Sequence, residues 1–233
     1  MSEERFFFLN KKGERLAAVL HSPKKKTDKC VIFCHGFTGS KEHWKQECDR
    51  VEELGLAGFR FDFSGCGESE GDFAKMSYSS EVDDLVSAID LMQKQGFKSI
   101  GVLGHSFGGA VVILASAKDP RIAAVIATAP TVFPNAKMLA KYAKEHKNVT
   151  MSPQFFEGVK QLDVVSAAKK RSCPLFIISG TADDVVPVEQ SKKLFAEAQG
   201  PKELKLIEGA GHNFEGHESE FVGVALEWMK KKL

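Results

Sequence analysis

A chain of 233 residues, 43% of them hydrophobic, is long enough to bury one substantial core and short for two ordinary domains. Its 32 Lys and Arg residues nearly balance its 31 Asp and Glu residues, so its overall charge disfavours nucleic acid and anionic membranes as partners. The N-terminal residues lack the apolar stretch of a signal peptide. We therefore predict a single domain over residues 1–233, located in the cytoplasm and without stable membrane association.

The cysteines and histidines argue against a disulfide framework and a metal site. The five cysteines are an odd number without C-x-x-C spacing. Cys30 and Cys34 lie in one apolar run at positions that share a strand face, which favours burial as reduced side chains. The seven histidines form no H-x-H or H-x-x-x-H spacing. We predict neither a metal nor a cofactor.

The pattern of apolar residues predicts an N-terminal hairpin followed by alternating strands and helices. Residues 5–10 and 15–21 are apolar runs on either side of an Asn-Lys-Lys-Gly turn, as in an antiparallel hairpin. The later predicted strands cover residues 30–34, 58–63, 99–103, 122–128, 174–178 and 203–207, and the predicted helices cover residues 42–54, 79–95, 110–118, 188–198 and 218–231. This alternation is typical of α/β proteins with a mostly parallel, doubly wound sheet, which bind ligands beyond the carboxyl ends of their strands.

The alternation breaks between residues 131 and 171, which we interpret as a short inserted lid. The segment contains Pro134 and Pro153 and an amphipathic stretch over residues 136–147. Its eight basic and three acidic residues are spread over about forty positions, which favours a solvated face over a membrane or acidic-substrate surface.

The lid carries more aromatic residues than a solvated loop requires. We expect four of them to line a substrate pocket: Phe133, Tyr142, Phe155 and Phe156. The alternative, that these side chains simply pack the insertion against the body of the protein, applies equally to each of them.

The sequence Gly-His-Ser-Phe-Gly-Gly, residues 104–109, lies between a predicted strand and a predicted helix. The pattern G-x-S-x-G at such a junction is a nucleophile elbow, a tight turn that exposes the serine hydroxyl above the sheet. Ser106 is therefore the candidate nucleophile. A phosphate-binding loop is the alternative, but the stretch lacks the Lys-Ser/Thr of a P-loop and the spacing G-x-G-x-x-G.

A serine hydroxyl needs a base to accept its proton, and an imidazole base needs a carboxylate to orient it. Two later strands end at polar residues of these types, Asp183-Asp184 and His212. His217 is the nearest competitor for the base, but it precedes the final helix and suits a surface or capping role. The chain order Ser, Asp, His matches one known arrangement of this triad.

Five motifs together resemble the α/β-hydrolase superfamily. They are His35-Gly36, Asp62-x-x-Gly65-x-Gly67-x-Ser69, the elbow, Gly180-x-x-Asp183-x-x-Val186-Pro187 and Gly211-His212. The stretch His-Gly-Phe-Thr-Gly-Ser-Lys, residues 35–41, and the short lid are similar to small bacterial cinnamoyl and feruloyl esterases. The resemblance implies Asp183 as the triad carboxylate and an oxyanion hole formed by the backbone N–H groups of Phe37 and Phe107.

The resemblance further implies a serine carboxylic-ester hydrolase that acts through an acyl-enzyme on small to medium acyl or aromatic, cinnamoyl-like esters. The expected partner of the protein is a small-molecule ester. Whether the protein forms a homodimer is left open by the sequence. The alternatives are a monoacylglycerol lipase, a thioesterase or a peptidase that uses the same triad, and a ligand-binding module without catalysis. Dehalogenase chemistry is disfavoured because residue 106 is Ser and not a carboxylate.

Overall fold

An eight-stranded sheet forms the centre of the computed structural model, which describes residues 2–233. Its strands are β1 (Ser2–Leu9), β2 (Arg15–Ser22), β3 (Lys29–Cys34), β4 (Ala57–Phe61), β5 (Ser99–His105), β6 (Ile122–Thr128), β7 (Leu175–Gly180) and β8 (Lys202–Ile207). Across the sheet their order is β1-β2-β4-β3-β5-β6-β7-β8. The pairs β1–β2 and β2–β4 are antiparallel and all the others are parallel. The predicted hairpin and the mostly parallel sheet are both confirmed.

Helices cover both faces of this sheet. They are α1 (Lys45–Glu53), α2 (Tyr78–Lys94), α3 (Phe107–Ser116), α4 (Ala136–Lys147), α5 (Pro153–Lys160), α6 (Val164–Lys170), α7 (Val188–Glu197) and α8 (Glu218–Lys232), with short 3-10 turns at Lys41–Trp44 and Phe73–Lys75. The sequence predicted one helix over residues 42–54, but the structure divides that stretch into a 3-10 turn and α1.

Two apolar cores lie on the two faces of the sheet because successive strand residues point to opposite sides. In β3, Cys30, Ile32 and Cys34 belong to one core, while Val31 and Phe33 belong to the other. All five of these residues are fully buried, as expected for a central strand covered on both faces. The carboxyl end of β3 is therefore held rigidly, which matters because the loop that follows it reaches Ser106.

The insertion between β6 and β7 contains helices α4, α5 and α6. Helix α4 is largely exposed and buries only Ala143, whereas α5 buries Phe155 in the larger core. Helix α6 buries Val164, Ala167 and Ala168. The outer part of the insertion is therefore α4, and its remaining helices pack against the body of the protein.

All five cysteines are buried and none is paired. Burial raises the pKa of each thiol. Within residues 2–233, no helix is both long and apolar enough to span a membrane.

Candidate active site

Ser106 lies at the junction between β5 and α3, in the turn that the sequence predicted. Its backbone adopts φ 55° and ψ −114°, a conformation that is strained for a residue with a side chain. Glycines flank the turn because a Cβ atom at Gly104 would overlap the backbone of Gly108, and one at Gly108 would overlap Cys34. The Ser106 N–H donates to the Thr128 carbonyl oxygen of the neighbouring strand at 2.8 Å, which fixes the turn.

The structure brings Ser106, His212 and Asp183 into one hydrogen-bonded chain. His212 Nε2 lies 3.0 Å from Ser106 Oγ, and His212 Nδ1 lies 2.8 Å from Asp183 Oδ2. These three residues follow β5, β8 and β7, so they converge from loops at one edge of the sheet. With Nδ1–H donating to the carboxylate, the lone pair of Nε2 is directed toward the serine hydroxyl.

Asp183 and Asp184 have different surroundings, although they are neighbours in the sequence. The Asp183 side chain is fully buried, and its Oδ1 accepts hydrogen bonds from the N–H groups of Val185 and Val186 at 2.9 and 2.8 Å. These bonds hold the carboxylate toward His212. Asp184 is exposed and lies at the cleft. The structure thus places the family-matched carboxylate, Asp183, beside the histidine.

Three further histidines close to the site have lowered pKa values. Burial is the main cause for each, and it lowers the pKa of His35 to about 4. The rings of His105 and His43 are stacked, with their centroids 5.3 Å apart. Burial lowers the pKa of both histidines, and the proximity of His212 lowers it further. These rings therefore remain neutral at neutral pH and do not add positive charge beside His212.

The loop after β3 forms a second wall of the site. Within residues 2–233, the N–H groups of Phe37 and Phe107 donate no hydrogen bond to another protein group. Phe37 and Gly36 both line the cleft that contains Ser106, and Phe107 follows the serine at the start of α3. Thr38 has a positive φ of 62°, so the loop is held in a conformation that its residues disfavour.

A cleft of about 420 Å³ opens above Ser106 and His212. Tyr142, one of the four aromatic residues that the sequence analysis assigned to a substrate pocket, lines this cleft. The other lining residues are Gly36, Phe37, Thr38, Gly39, His43, His105, Met138, Leu139, Asp184, Val185 and Asn213. Met138, Tyr142 and Val185 are exposed, so apolar side chains surround an open mouth.

The structure places the other three predicted pocket aromatics outside this cleft. Phe155 is fully buried, with its ring centroid 6.0 Å from that of Phe37, so it supports the loop from below. Phe156 packs edge-on against Phe155 at 5.5 Å. Phe133 is exposed beneath the Lys193 ammonium, 4.6 Å from its ring centroid. The packing alternative therefore fits Phe155 and Phe156, whereas Phe133 lies on the surface in contact with Lys193.

One group of side chains has metal-like spacing. The ligand atoms of His21, Asp49 and Glu52 lie within 4.8 Å of one another. However, Arg60 Nε donates to His21 Nε2 at 3.0 Å. That bond leaves the proton of a neutral imidazole on Nδ1, the nitrogen facing Asp49, where it blocks coordination. The arrangement is better described as a hydrogen-bonded network between Arg60, His21 and Asp49 than as a metal site.

Comparison with known families identifies the class of protein. A family model described as Hydrolase_4, serine aminopeptidase S33, matches residues 25–158 and 150–220. The chain belongs to this family. This hydrolase is also 29% identical to an uncharacterised 31.7 kDa protein of Escherichia coli, named for the traX–finO intergenic region, over 87% of this chain and 91% of the relative. The predicted α/β-hydrolase resemblance is confirmed.

Solved structures of esterases share the fold of this hydrolase. Est1E from Butyrivibrio proteoclasticus, with ferulic acid bound, superposes with a TM-score of 0.82 at 25% identity, covering 97% of this chain and 98% of that one. The Pyrococcus furiosus esterase Pf2001 superposes with a TM-score of 0.81 at 22% identity, covering 99% and 91%. The similarity therefore extends over the whole fold, and it includes a structure determined with ferulic acid bound.

Proposed function

We propose that the protein is a serine carboxylic-ester hydrolase in which Ser106 is the nucleophile, His212 the base and Asp183 the orienting carboxylate. The observation that carries this proposal is the hydrogen-bonded chain from Asp183 through His212 to the strained elbow serine. The family match and the esterase neighbours support the same reaction class.

In the proposed reaction, His212 Nε2 takes the proton of Ser106 as its Oγ attacks the ester carbonyl carbon. The carbonyl oxygen becomes an oxyanion, which the N–H groups of Phe37 and Phe107 stabilise. When this intermediate collapses, the alcohol leaves with the proton from His212 and an acyl-enzyme forms. Water then attacks the acyl-enzyme in the same way, with His212 as base, and releases the acid.

The cleft supports small to medium acyl or aromatic esters as substrates. Its mouth is formed by apolar side chains from α4 and the loop after β7, with volume for a moderately sized group. Ferulic acid, the ligand named for the Est1E structure, is an aromatic acid of this kind. We therefore include cinnamoyl-like esters among the proposed substrates.

We further propose that residues 131–171 act as a lid within a single domain of residues 1–233. The support is positional, because α4 contributes Met138, Leu139 and Tyr142 to the cleft while remaining largely exposed itself. In this role α4 would set substrate choice and leave the chemical step to the loops of the sheet.

The test is Ser106→Ala, measured with p-nitrophenyl esters of increasing chain length and methyl ferulate. We expect an activity loss on the order of 10³-fold or more with an unchanged circular dichroism spectrum, because the variant removes only the nucleophilic oxygen. A folded variant that keeps most of its activity would refute the proposed mechanism.

A comparison of further substrates on the wild-type enzyme separates the alternatives that share this triad. An amino-acid p-nitroanilide tests the aminopeptidase activity named by the family description, an acyl-CoA tests thioesterase activity, and a monoacylglycerol tests lipase activity. The ester proposal expects the highest kcat/KM on the simple or aromatic esters. A ligand-binding module would hydrolyse none of them and would resist labelling by a fluorophosphonate.

A further inference from the structure

A buried ion pair lies directly behind the loop that carries Phe37. Lys41 Nζ lies 2.7 Å from Asp62 Oδ2, and both side chains are almost entirely inaccessible to solvent. Asp62 follows the end of β4, a central strand, while Lys41 ends the loop that begins after β3. The pair therefore joins the loop to the rigid sheet.

Each end of this loop is fixed by hydrogen bonds. At its start, His35 Nδ1 donates to the Gly36 carbonyl oxygen at 2.9 Å, and His35 Nε2 accepts from the Phe63 N–H at 3.1 Å. At its end, Asp62 Oδ1 accepts from the Lys41 backbone N–H at 2.6 Å. The Lys41 carbonyl oxygen also accepts from the guanidinium of Arg60 at 3.3 Å. Lys41 is thus held through its backbone and its side chain together.

The Asp62 carboxylate is enclosed by hydrogen-bond donors and by closely packed backbone. Besides the two bonds from Lys41, it accepts a third from the Glu68 N–H at 2.9 Å. A Cβ atom at Gly67 would overlap the carboxylate, so the chain wraps it closely. Burial lowers the pKa of Lys41, but bonds to Asp62 and Glu68 outweigh this effect and raise it overall, so the ammonium stays charged.

We infer that the Lys41–Asp62 pair positions the loop of residues 35–41, the proposed oxyanion loop, so that Lys41 and Asp62 are positioning residues for the Phe37 N–H. This inference rests on the proposed role of Phe37 in the oxyanion hole. The loop needs such support because Thr38, next to Phe37, has a positive φ that the chain does not adopt readily. An N–H that moves by a fraction of an ångström loses much of its stabilisation of the oxyanion.

A buried ion pair could instead serve stability alone. Removing one partner leaves an unpaired buried charge and is strongly destabilising, whereas replacing both with neutral groups of similar volume is often tolerated. The informative variant is therefore the double substitution Lys41→Met with Asp62→Asn. The amide introduced by Asp62→Asn would keep an oxygen for the Lys41 backbone N–H, so the variant removes the charged link while retaining volume.

We expect this double variant to lower kcat for a p-nitrophenyl ester by about tenfold or more with KM nearly unchanged, since loss of a whole oxyanion donor costs roughly 10²- to 10³-fold. Its affinity for a trifluoromethyl ketone should fall by a similar factor. That ketone mimics the oxyanion because Ser106 Oγ adds to its carbonyl carbon, the oxygen takes the electron pair, and His212 takes the serine proton. Affinity for the matching methyl ketone, which binds without addition, should be retained.

The matched control is Arg121→Met with Asp119→Asn. Arg121 Nε donates to Asp119 Oδ1 at 2.8 Å just before β6, at the strand end opposite the site. Loss of this pair should leave kcat unchanged. Active-site titration with a fluorophosphonate counts competent serines, so each kcat refers to folded enzyme. Lys41→Gln provides a milder variant, judged by the same criteria, if the double variant does not fold.

A kcat within about twofold of wild type in a folded variant, or a raised KM with unchanged kcat, would overturn the positioning role. Equal losses in the Lys41–Asp62 and Arg121–Asp119 variants would also overturn it, since they would indicate a general effect of stability. Failure of the proposed function is seen separately, in a Ser106→Ala variant that retains activity.

Discussion

At the scale of single residues, the two adjacent aspartates offer the sharpest contrast in the site. Asp183 is buried and bonded to His212 Nδ1, while Asp184 is exposed at the cleft. We expect Asp183→Asn to lower kcat by roughly 10³-fold or more, because an amide does not hold the imidazole in the required tautomer. Asp184→Asn is the matched control, and ester hydrolysis by the two variants at neutral pH is the measurement. A larger loss in Asp184→Asn would show that the role belongs to the other neighbour.

The sequence could predict the residues of the proposed triad because their chemistry limits the choice. A serine in a tight turn needs an imidazole and a carboxylate from later strand ends, and few residues satisfy that order. It did not single out Lys41 as a buried partner of Asp62. Lys41 is one of 32 Lys and Arg residues, and only the folded structure shows that its side chain is buried.

Glu81 is a second residue whose environment the sequence did not indicate. It is fully buried in α2, and among residues 2–233 neither carboxylate oxygen has a hydrogen-bond partner. Burial, aided by nearby Asp84, raises its pKa well above the ordinary value of 4.5. The native state therefore keeps a proton that the unfolded chain releases once the pH exceeds that ordinary value.

This difference in proton binding lowers the free energy of unfolding as the pH rises from about 4.5 toward the folded pKa, by roughly 1.4 kcal/mol per unit. We expect Glu81→Gln to remove this pH-dependent fall in the free energy of unfolding, because Gln is neutral and similar in shape. The variant should be more stable than wild type at pH 8 and nearly equal to it at pH 4. Urea unfolding at both pH values measures this. A constant difference at both would show that Glu81 does not titrate as described.

At the scale of secondary-structure elements, the insertion divides into one exposed helix, α4, and two packed helices, α5 and α6. Helix α4 contributes Met138 and Tyr142 to the mouth of the cleft, whereas α5 buries Phe155 under Phe37. The sequence indicated an insertion with an amphipathic stretch near residues 136–147, and this stretch forms helix α4. It could not separate cleft-lining from packed aromatics, because both place an apolar side chain away from water.

This division predicts different consequences for two aromatic truncations. Tyr142→Ala should change the preference between short aliphatic and bulky aromatic esters by about 1 to 3 kcal/mol in transition-state free energy, with little effect on unfolding. Phe155→Ala should destabilise the protein by about 3 to 5 kcal/mol, because it leaves a cavity in the core. Kinetics on paired esters and urea unfolding of both variants provide the measurements. Equal effects of the two variants on both quantities would contradict the division.

At the scale of the whole molecule, the sheet brings residues distant in sequence to a single edge. Ser106, Asp183 and His212 follow β5, β7 and β8, and the loop with Phe37 follows β3. Alternating strands and helices were sufficient to predict this convergence, since the carboxyl ends of parallel strands share one edge. The order of the strands depends on pairing between distant segments, so the sequence pattern did not specify it.

The buried cysteines permit a test of how this fold opens. All five lie in the two cores or beside them, with thiol pKa values raised by burial. A disulfide reagent attacks thiolates, so we expect all five to react together and at the rate of global unfolding. Reaction followed by absorbance, compared with unfolding followed by fluorescence, is the measurement. One thiol that reacts quickly in native buffer would reveal a locally opening region.

The same protection makes the protein a natural background for site-specific labelling. A single cysteine introduced by Lys141→Cys, on the exposed surface of α4, would be the one accessible thiol in the folded chain. A spin label or fluorophore attached there would report whether α4 approaches the sheet when an ester analogue occupies the cleft. The sequestered thiols of the core would thus allow movement of the outer helix to be followed without first removing any native cysteine.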